Sequence, residues 1–342
     1  MFRRFLIVMV VFGSFYSCKN DKRSDEKSQE LDTNVIDVYK LLTPDISTKD
    51  FDAFVSKYPA FSKLYFNQIL PLGLEGSDSI SLHKWQEFSR DSGFVALTDK
   101  VLKMYPNSHT IQKDLKGMYG TISQYFPTIK SANIYPLISE FGYQTFNFED
   151  DNGKEGIGIS LDMYLGHTMN YKMIAPDNTN FSDYITRSWD KDHIARKVVN
   201  IYIEELLGPP AGHRMLDLII HNGKALYLAQ TFLPEAQDSV IIEFTQKQLD
   251  WCRNSELAMW SFFVDNNLFY ESNPSKIGKY VYPAPSSPNM PPESPGRTGN
   301  YIGWQIVRAY MERYPDTTLD QLIQLKDSQL IMEKSKYKPK QK

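Results

Sequence analysis

Histidines are the side chains of this chain best suited to bind a metal ion. None of them belongs to a His-Glu-x-x-His segment, in which two zinc ligands lie one helical turn apart and a glutamate acts as general base. The sequence contains six: His83, His109, His167, His193, His213 and His221. A zinc site formed across helices by His193, His221 and a carboxylate such as Glu204 or Glu205 remains an open alternative.

The segment "LIIHNGKALYL", residues 218–228, raises a sharper question. It is strongly apolar and reads as a helix, yet it carries His221, Asn222 and Gly223 in succession. A metal site, a metal site that has been lost, and close packing of two helices would each explain this interruption.

Other catalytic patterns are missing from the sequence. It contains no Gly-x-Ser-x-Gly nucleophile elbow and no glycine-rich phosphate loop of the Walker or dinucleotide type. The turn "EDDNGKEG" lacks the spacing and the terminal glutamate of an EF-hand loop. The 38 basic and 41 acidic residues give a net charge of -3 without a basic field. We therefore predict no cofactor and no nucleic-acid partner.

The N-terminal segment "MFRRFLIVMVVFGSFYSC" has the features of a secretory signal peptide. Arg3 and Arg4 precede an apolar run at 5–12, which is well short of the roughly 18 residues needed to cross a bilayer. "SFYSC" is similar to the lipobox of bacterial lipoproteins, and this similarity implies cleavage before Cys18 and lipidation of Cys18. The alternative is ordinary secretion, with Cys18 left inside the signal peptide.

The composition along the chain predicts a division into four segments. They are a signal peptide at 1–17, a lipid-anchored flexible tether at 18–33, one globular domain at 34–333 and a basic disordered tail at 334–342. The tether is almost wholly polar and cannot bury an apolar face. The chain has two cysteines, Cys18 and Cys252. Lipidation of Cys18 would leave Cys252 without a disulfide partner, so stability must come from the core.

The order of structural elements predicts an α+β fold that is predominantly helical, with a small antiparallel sheet followed by a helical lobe. A short strand is expected from Val35 onward, in "NVIDVYKLL", and helices punctuated by prolines at 47–70 and 82–126. Three strands follow, at "ANIYPLIS", "YQTFNFED" and "GIGISLDMYL". Helices then return at about 191–207, 213–233 and 236–268, with a break near residue 254.

A proline-rich stretch from about 271 to 299 should form a surface loop, because its prolines lack backbone donors. The loop could be functional or a linker. A last pair of helices is expected after it, with Thr317 and Asp320 or Thr318 and Gln321 as the capping pair. Asp162 lies within an apolar strand, where it must be paired or, as we favour, point outward.

Three motifs together resemble a known family. "GISLDMYLG" at 158–166, "HNGKALYLAQTFLP" at 221–234 and "SPGRTGNYIGWQIVRAYMERYP" at 294–315 are similar to segments of the gliding-motility-associated lipoprotein B (GldB) family of Bacteroidetes. The resemblance extends over most of the chain after the tether. It implies a cell-envelope lipoprotein that faces the periplasm, is required for gliding and for the linked protein-secretion machinery, and acts through other proteins of that machinery.

That family is in turn distantly similar to predicted zinc peptidases of the gluzincin type, which implies a degenerate zinc-peptidase-like architecture. The zinc helix of those enzymes would correspond to "HIARKVVNIYIEELL", which begins at His193 and has no second histidine. On the later helix, His221 and Asn222 stand where the enzymes have a glutamate. We therefore predict no catalytic and no metal-binding residue. Gly223 is expected to let the two helices approach, as the relic of a zinc site or as plain packing.

The function predicted from these observations is non-catalytic protein binding, through the proline-rich loop at 280–295 and a cleft bordered by Arg297 and Asn300. Two alternatives remain open. One is a metal-dependent peptidase or other hydrolase with unusual ligands, using Glu204 or Glu205 with His193 or His221. The other is a lipid-tethered module that binds a peptide or a glycan.

Overall fold

The computed structural model describes residues 33–74 and 79–339, which belong to one compact unit. The predicted signal peptide, Cys18, the tether up to residue 32 and the last three residues of the predicted tail lie outside the described residues. No helix among the described residues is long and apolar enough to cross a membrane.

Short helices with aromatic core faces make up the first part of the chain. Their bounds are α1 (Val38–Leu41), α2 (Thr48–Lys57), α3 (Pro59–Leu64), α4 (Ser79–Ser89), α5 (Ser92–Met104) and α6 (His109–Tyr125). The expected break before Pro59 is confirmed, and Pro59 occupies the first turn of α3, where its missing N–H costs nothing. A π-helical turn, Tyr65–Ile69, continues α3. The prediction of a strand from Val35 onward was wrong: only a single bridge joins Val35 to Ile134, and Val38–Leu41 of the same segment forms α1.

The sheet has three strands, β1 (Asn133–Leu137), β2 (Thr145–Glu149) and β3 (Glu155–Ser160), in the order β1-β3-β2. β2 and β3 form the expected antiparallel hairpin, but β1 pairs with β3 in parallel. The sheet is therefore mixed, and the prediction of an antiparallel sheet was wrong in this respect. β2 runs opposite to β1, and the hairpin reverses the direction once more, so β3, which lies between them, runs parallel to β1.

Two glycines of the segment "EGIGIS" make room for aromatic rings of the neighbouring strand in the hairpin. Gly158 lies opposite Phe146 and Gly156 opposite Phe148. A Cβ on Gly158 would lie 2.1 Å from the Phe146 ring, and one on Gly156 would lie 2.3 Å from the Phe148 ring. Each ring thus covers the glycine of the neighbouring strand. These glycines serve packing within the sheet.

A helical lobe follows the sheet. Its helices are α7 (Asp183–Thr186), α8 (Ile194–Leu207), α9 (Met215–Phe232), α10 (Asp238–Ile242), α11 (Gln246–Asn254), α12 (Glu256–Asp265), α13 (Pro274–Val281), α14 (Thr298–Arg313), α15 (Leu319–Gln324) and α16 (Ser328–Ser335). The expected break near 254 separates α11 from α12. Thr318 and Gln321 form the capping box of α15. The predominantly helical α+β class is confirmed.

Two boundaries differ from those expected. The stretch from 271 contains the two-turn helix α13, because Pro274 at its start needs no donor and no further proline follows until Pro283. At the C-terminus, α16 ends at Ser335, and the Tyr337 hydroxyl donates to Glu256 at 2.6 Å. The domain therefore extends past the boundary predicted at 333.

Candidate functional site

The glycine of the "HNG" segment lies where two helix backbones touch. A Cβ on Gly223 of α9 would lie 2.4 Å from the carbonyl carbon and oxygen of Gly303 on α14. A Cβ on Gly303 would lie 1.9 Å from the carbonyl oxygen of Ile219. The two glycines thus allow a crossing closer than any side chain would permit. Gly223 faces α14, so the partner we expected, the helix that begins near His193, was wrong.

Asn222 and Asn300 join the same two helices by hydrogen bonds. The Asn222 amide donates to Oδ1 of Asn300 at 2.9 Å, and the amide of Asn300 donates to the Val281 carbonyl at 3.0 Å. Asn300 is buried, so these bonds satisfy groups that water cannot reach. The sequence predicted Asn300 at the border of a cleft, and the structure brings Asn222 into contact with it.

A cavity of about 230 Å³ lies beside this pair. Four of the predicted residues line it: His221, Asn222, Arg297 and Asn300. Burial lowers the pKa of His221, and the nearby Lys224 and Lys326 lower it further, so the imidazole is neutral at neutral pH. His221 and Asn222 of α9 give the cavity neutral hydrogen-bonding groups, and Arg196, Glu204 and Arg297 give it charged ones.

His193 lies apart from these four residues. It precedes α8, and its Nδ1 lies 2.8 Å from Oδ1 of Asp190. Glu204, which lines the cavity near His221, is eleven residues further along, about 16 Å at the helical rise. Within the described ranges, no three histidine, cysteine or acidic side chains are placed to hold a metal ion.

Three arginines converge on the end of α10, a feature that the sequence did not reveal. Nε of Arg196 donates to the Ile241 carbonyl at 2.8 Å, Nη2 of Arg297 to the Ile242 carbonyl at 3.0 Å, and Nε of Arg187 to the Glu243 carbonyl at 2.9 Å. The last carbonyls of a helix have no partner inside the helix. Guanidinium groups supply the missing donors here.

Glu243 is at the centre of these cations. It follows α10 in the left-handed conformation, with φ of 57°, which turns its side chain toward α8 and the start of α14. Its carboxylate lies 2.7 Å from Nζ of Lys197 and 3.6 Å from Nη1 of Arg297. Burial alone would raise the pKa of Glu243, but Lys197, Arg196 and Arg297 outweigh burial and hold the pKa well below its ordinary value. Glu243 is therefore an anion.

A second cavity, of about 460 Å³, opens beside Glu243. Lys197, Glu243 and Arg297 line its charged side, and an aromatic wall lines the other. The aromatic residues are Phe141, Phe181, Tyr184 and Trp189. Arg297 lines this cavity and the one beside Asn300, so the two are neighbours. We name them the aromatic cavity and the asparagine cavity.

The proline-rich segment folds back on itself and lies along this region. The hydroxyl of Tyr280 donates to the Pro288 carbonyl, and that of Ser287 donates to the Pro295 carbonyl, both at 2.8 Å. Pro283 lines the aromatic cavity, and Pro285 lines a third cavity of about 550 Å³. The loop and the cleft, which the sequence suggested as separate contact surfaces, thus meet.

Asp162 points inward and holds the backbone of Phe141, a residue that lines the aromatic cavity. The prediction that Asp162 points outward was wrong. Asp162 is fully buried and accepts hydrogen bonds from the backbone N–H groups of Ser139 and Phe141, at 3.1 and 2.6 Å. Burial raises the pKa of Asp162 to about 6, although these two donors lower it in part. Glu140 and Phe141 both have positive φ, and the carboxyl group holds this strained turn.

Comparison with known proteins gives one match. The family model described as gliding motility protein GldB matches residues 19–339. The chain belongs to the GldB family. Membership implies a role in gliding motility, and the family's description as a lipoprotein indicates a membrane-anchored envelope protein. No curated protein and no solved structure matches this GldB-family chain.

Proposed function

We propose that this GldB-family protein is a lipid-anchored component of the cell envelope that serves gliding motility and the linked protein secretion by binding another protein, without catalysis. The observation that carries the proposal is the family match over residues 19–339, within which the cleft beside Arg297 and Asn300 lies. In this proposal Cys18 carries the lipid, and the domain faces the periplasm.

The side chains around the cleft support a binding role over hydrolysis. A glutamate acts as a general base at neutral pH when burial raises its pKa. Glu204 and Glu205 are both exposed to solvent, and His193 is about 16 Å along α8 from Glu204. Cys252 is fully buried, and burial raises the pKa of its thiol, which disfavours the nucleophilic thiolate.

The hydrogen-bonding groups of the cleft support protein recognition. Asn222 and Asn300 are held in one orientation by their mutual bond, and the folded-back loop at 280–295 offers exposed Tyr282 beside the aromatic cavity. The asparagine pair keeps the cleft rigid, and exposed aromatic side chains such as Tyr282 are enriched at protein interfaces.

Deletion of the gene tests the role in gliding, and complementation tests the anchor. We expect deletion to abolish colony spreading, the wild-type gene to restore it and a Cys18→Ser gene to restore it poorly. A Cys252→Ser gene is the matched control, because Cys252 is the other cysteine and is buried in the domain. Full rescue by Cys18→Ser would remove the lipid anchor from the proposal.

The metal content of the domain from 19 to 342, purified without chelator, tests the non-catalytic part. Plasma mass spectrometry should give far less than one equivalent of zinc. One equivalent of zinc that is lost in a His221→Ala variant would instead favour the hydrolase.

A further inference from the structure

We propose that the aromatic cavity and the adjoining third cavity bind an acidic peptide segment of the partner, with Lys197 and Arg297 as the recognising cations of the aromatic cavity and Arg187 as that of the third cavity. This inference rests on the proposed function and specifies the chemistry of the partner. It is drawn from the charge, the available donors and the shape of the site.

The charges around Glu243 do not balance. Four cations surround it, namely Arg187, Arg196, Lys197 and Arg297, and Glu243 is the single buried acid that faces them among the described residues. Burial and the neighbouring Arg297 lower the pKa of Arg187 to about 10, as expected where like charges crowd. An incoming carboxylate would relieve this excess of positive charge.

The capping of α10 does not account for all four cations. Among the residues that the structure describes, Lys197 contacts Glu243 as its one ionic partner and donates to no carbonyl. Arg187 uses its Nε for the Glu243 carbonyl and its Nη1 for Gln248, at 3.1 Å, while its Nη2 has no protein acceptor in the described part of the chain. The Nη1 of Arg297 lies at 3.6 Å from the Glu243 carboxylate, beyond hydrogen-bond distance. Donors therefore remain for a ligand.

The shape of the site fits an extended chain with apolar side chains. The aromatic cavity and the third cavity, about 460 and 550 Å³, share Asn178, Phe181 and Tyr184 as lining residues. Lys172 and Arg187 line the third cavity with one exposed acid, Asp183. Two adjoining cavities with cations on one side and aromatic rings on the other suit alternating acidic and aromatic residues. A lone phosphate would leave the aromatic wall empty.

Titration calorimetry with two tetrapeptides tests the inference. The protein used is the unlipidated chain from 19 to 342. The acidic probe is N-acetylated Glu-Phe-Asp-Phe amide, and the neutral control is N-acetylated Gln-Phe-Asn-Phe amide. We expect the acidic probe alone to bind, and its affinity to fall as salt rises. Equal binding of both peptides, or of neither, overturns the inference. Displacement of the acidic probe by millimolar inorganic phosphate would overturn the peptide assignment in favour of a phosphate ligand.

Two single substitutions should move the affinity in opposite directions. Lys197→Met removes a recognising cation and should weaken binding of the acidic probe at least about fivefold, while Glu243→Gln removes the competing anion and should tighten it by a similar factor. Lys116→Met, at an exposed lysine of α6, is the matched control and should leave binding unchanged. A purely structural cluster would weaken binding in both variants, which would refute the assignment.

A double variant guards against misfolding. Lys197→Met with Glu243→Gln removes both members of the closest ion pair, so neither of these two is left as an unpaired charge and the local net charge is kept. Arg196 and Arg297 lose the Glu243 charge but keep their bonds to the Ile241 and Ile242 carbonyls. The double variant should fold and bind the acidic probe within about twofold of wild type, since the local net charge is the same. Loss of binding in a folded double variant would overturn the inference.

Photocrosslinking in cells separates this inference from the proposed function. Benzoylphenylalanine at position 184, which lines both cavities, should capture a protein, and Lys197→Met should reduce the capture. Capture that does not depend on Lys197 would leave protein binding standing and overturn the acidic inference. Absence of capture from 184 and from the loop at 280–295 would overturn the proposed function itself.

Discussion

Replacing Gly303 by alanine should be among the most destabilising single-methyl additions in this protein. The new Cβ would lie 1.9 Å from the Ile219 carbonyl oxygen and 2.5 Å from its carbonyl carbon. Since real Cβ atoms are essentially never found closer than 3.0 Å to such atoms, the helices must separate by about 1.1 Å, the difference between 3.0 and 1.9 Å. Both atoms are backbone, so no side-chain rotation can relieve the overlap.

The magnitude follows from what that separation exposes. The adjoining residues Ile302, Trp304 and Ile306 are fully buried on α14. A gap of 0.5–1 Å forfeits roughly a quarter to a half of the contact energy across it. We therefore expect Gly303→Ala to lower the free energy of unfolding by about 3–5 kcal/mol, the size of a large-to-small core truncation. This is a large fraction of the total free energy of unfolding of a domain, which is typically about 5–15 kcal/mol.

Urea unfolding followed by circular dichroism measures the effect. Gly117→Ala is the matched control, because Gly117 is helical and exposed, and its added Cβ would meet nothing within 4 Å. That change should stabilise the domain by up to about 1 kcal/mol. Gly223→Ala, with an overlap of 0.6 Å from 3.0 and 2.4 Å, should fall between the two. A Gly303→Ala domain within about 1 kcal/mol of wild type would refute the close-crossing argument.

Three further predictions concern the buried polar groups. Asn300→Leu should cost about 1–3 kcal/mol in urea unfolding, because the buried Val281 carbonyl loses its donor; an unchanged midpoint would contradict this. The pKa of Asp162, about 6, exceeds its unfolded value of about 3.9, so stability should fall by about 2–3 kcal/mol from pH 4 to 7, and Asp162→Asn should remove this dependence. The pKa of Glu243 is depressed, so its contribution should be lost as the pH falls below about 4.5, and thermal melts of Glu243→Gln should be less sensitive to acid than those of wild type.

The sequence predicts most elements of this fold because its signals are local. Pro59 marks the start of α3, and the turn at Asp151–Gly153 marks the hairpin of β2 and β3. The direction of β1 could not be predicted, since pairing of β1 with β3 joins residues more than twenty positions apart. The same strand sequence would satisfy either direction.

The candidate site divides in the same way. The sequence grouped Arg297 and Asn300 at one cleft, and the structure places both on the asparagine cavity, together with Asn222. His193 does not line this cavity: it precedes α8 and contacts Asp190, whereas the cavity-lining residues of α8 begin at Arg196. The cluster around Glu243 was missed, since its cations come from separate segments. Its only local signal was an acid directly after the apolar run "VII".

The helix crossing and the cation cluster are linked through one face of α14 and its first turn. Gly303, Asn300 and Arg297 recur every three residues, so the close contact at Gly303 fixes the height at which Asn300 meets Asn222 and at which Arg297 reaches Glu243. The left-handed conformation of Arg297, with φ of 62°, then turns its side chain toward the end of α10. A bulkier residue at the crossing would move both contacts away from α9 and α10 together. The glycine contact between α9 and α14 therefore helps to position Arg297 on the charged side of the aromatic cavity.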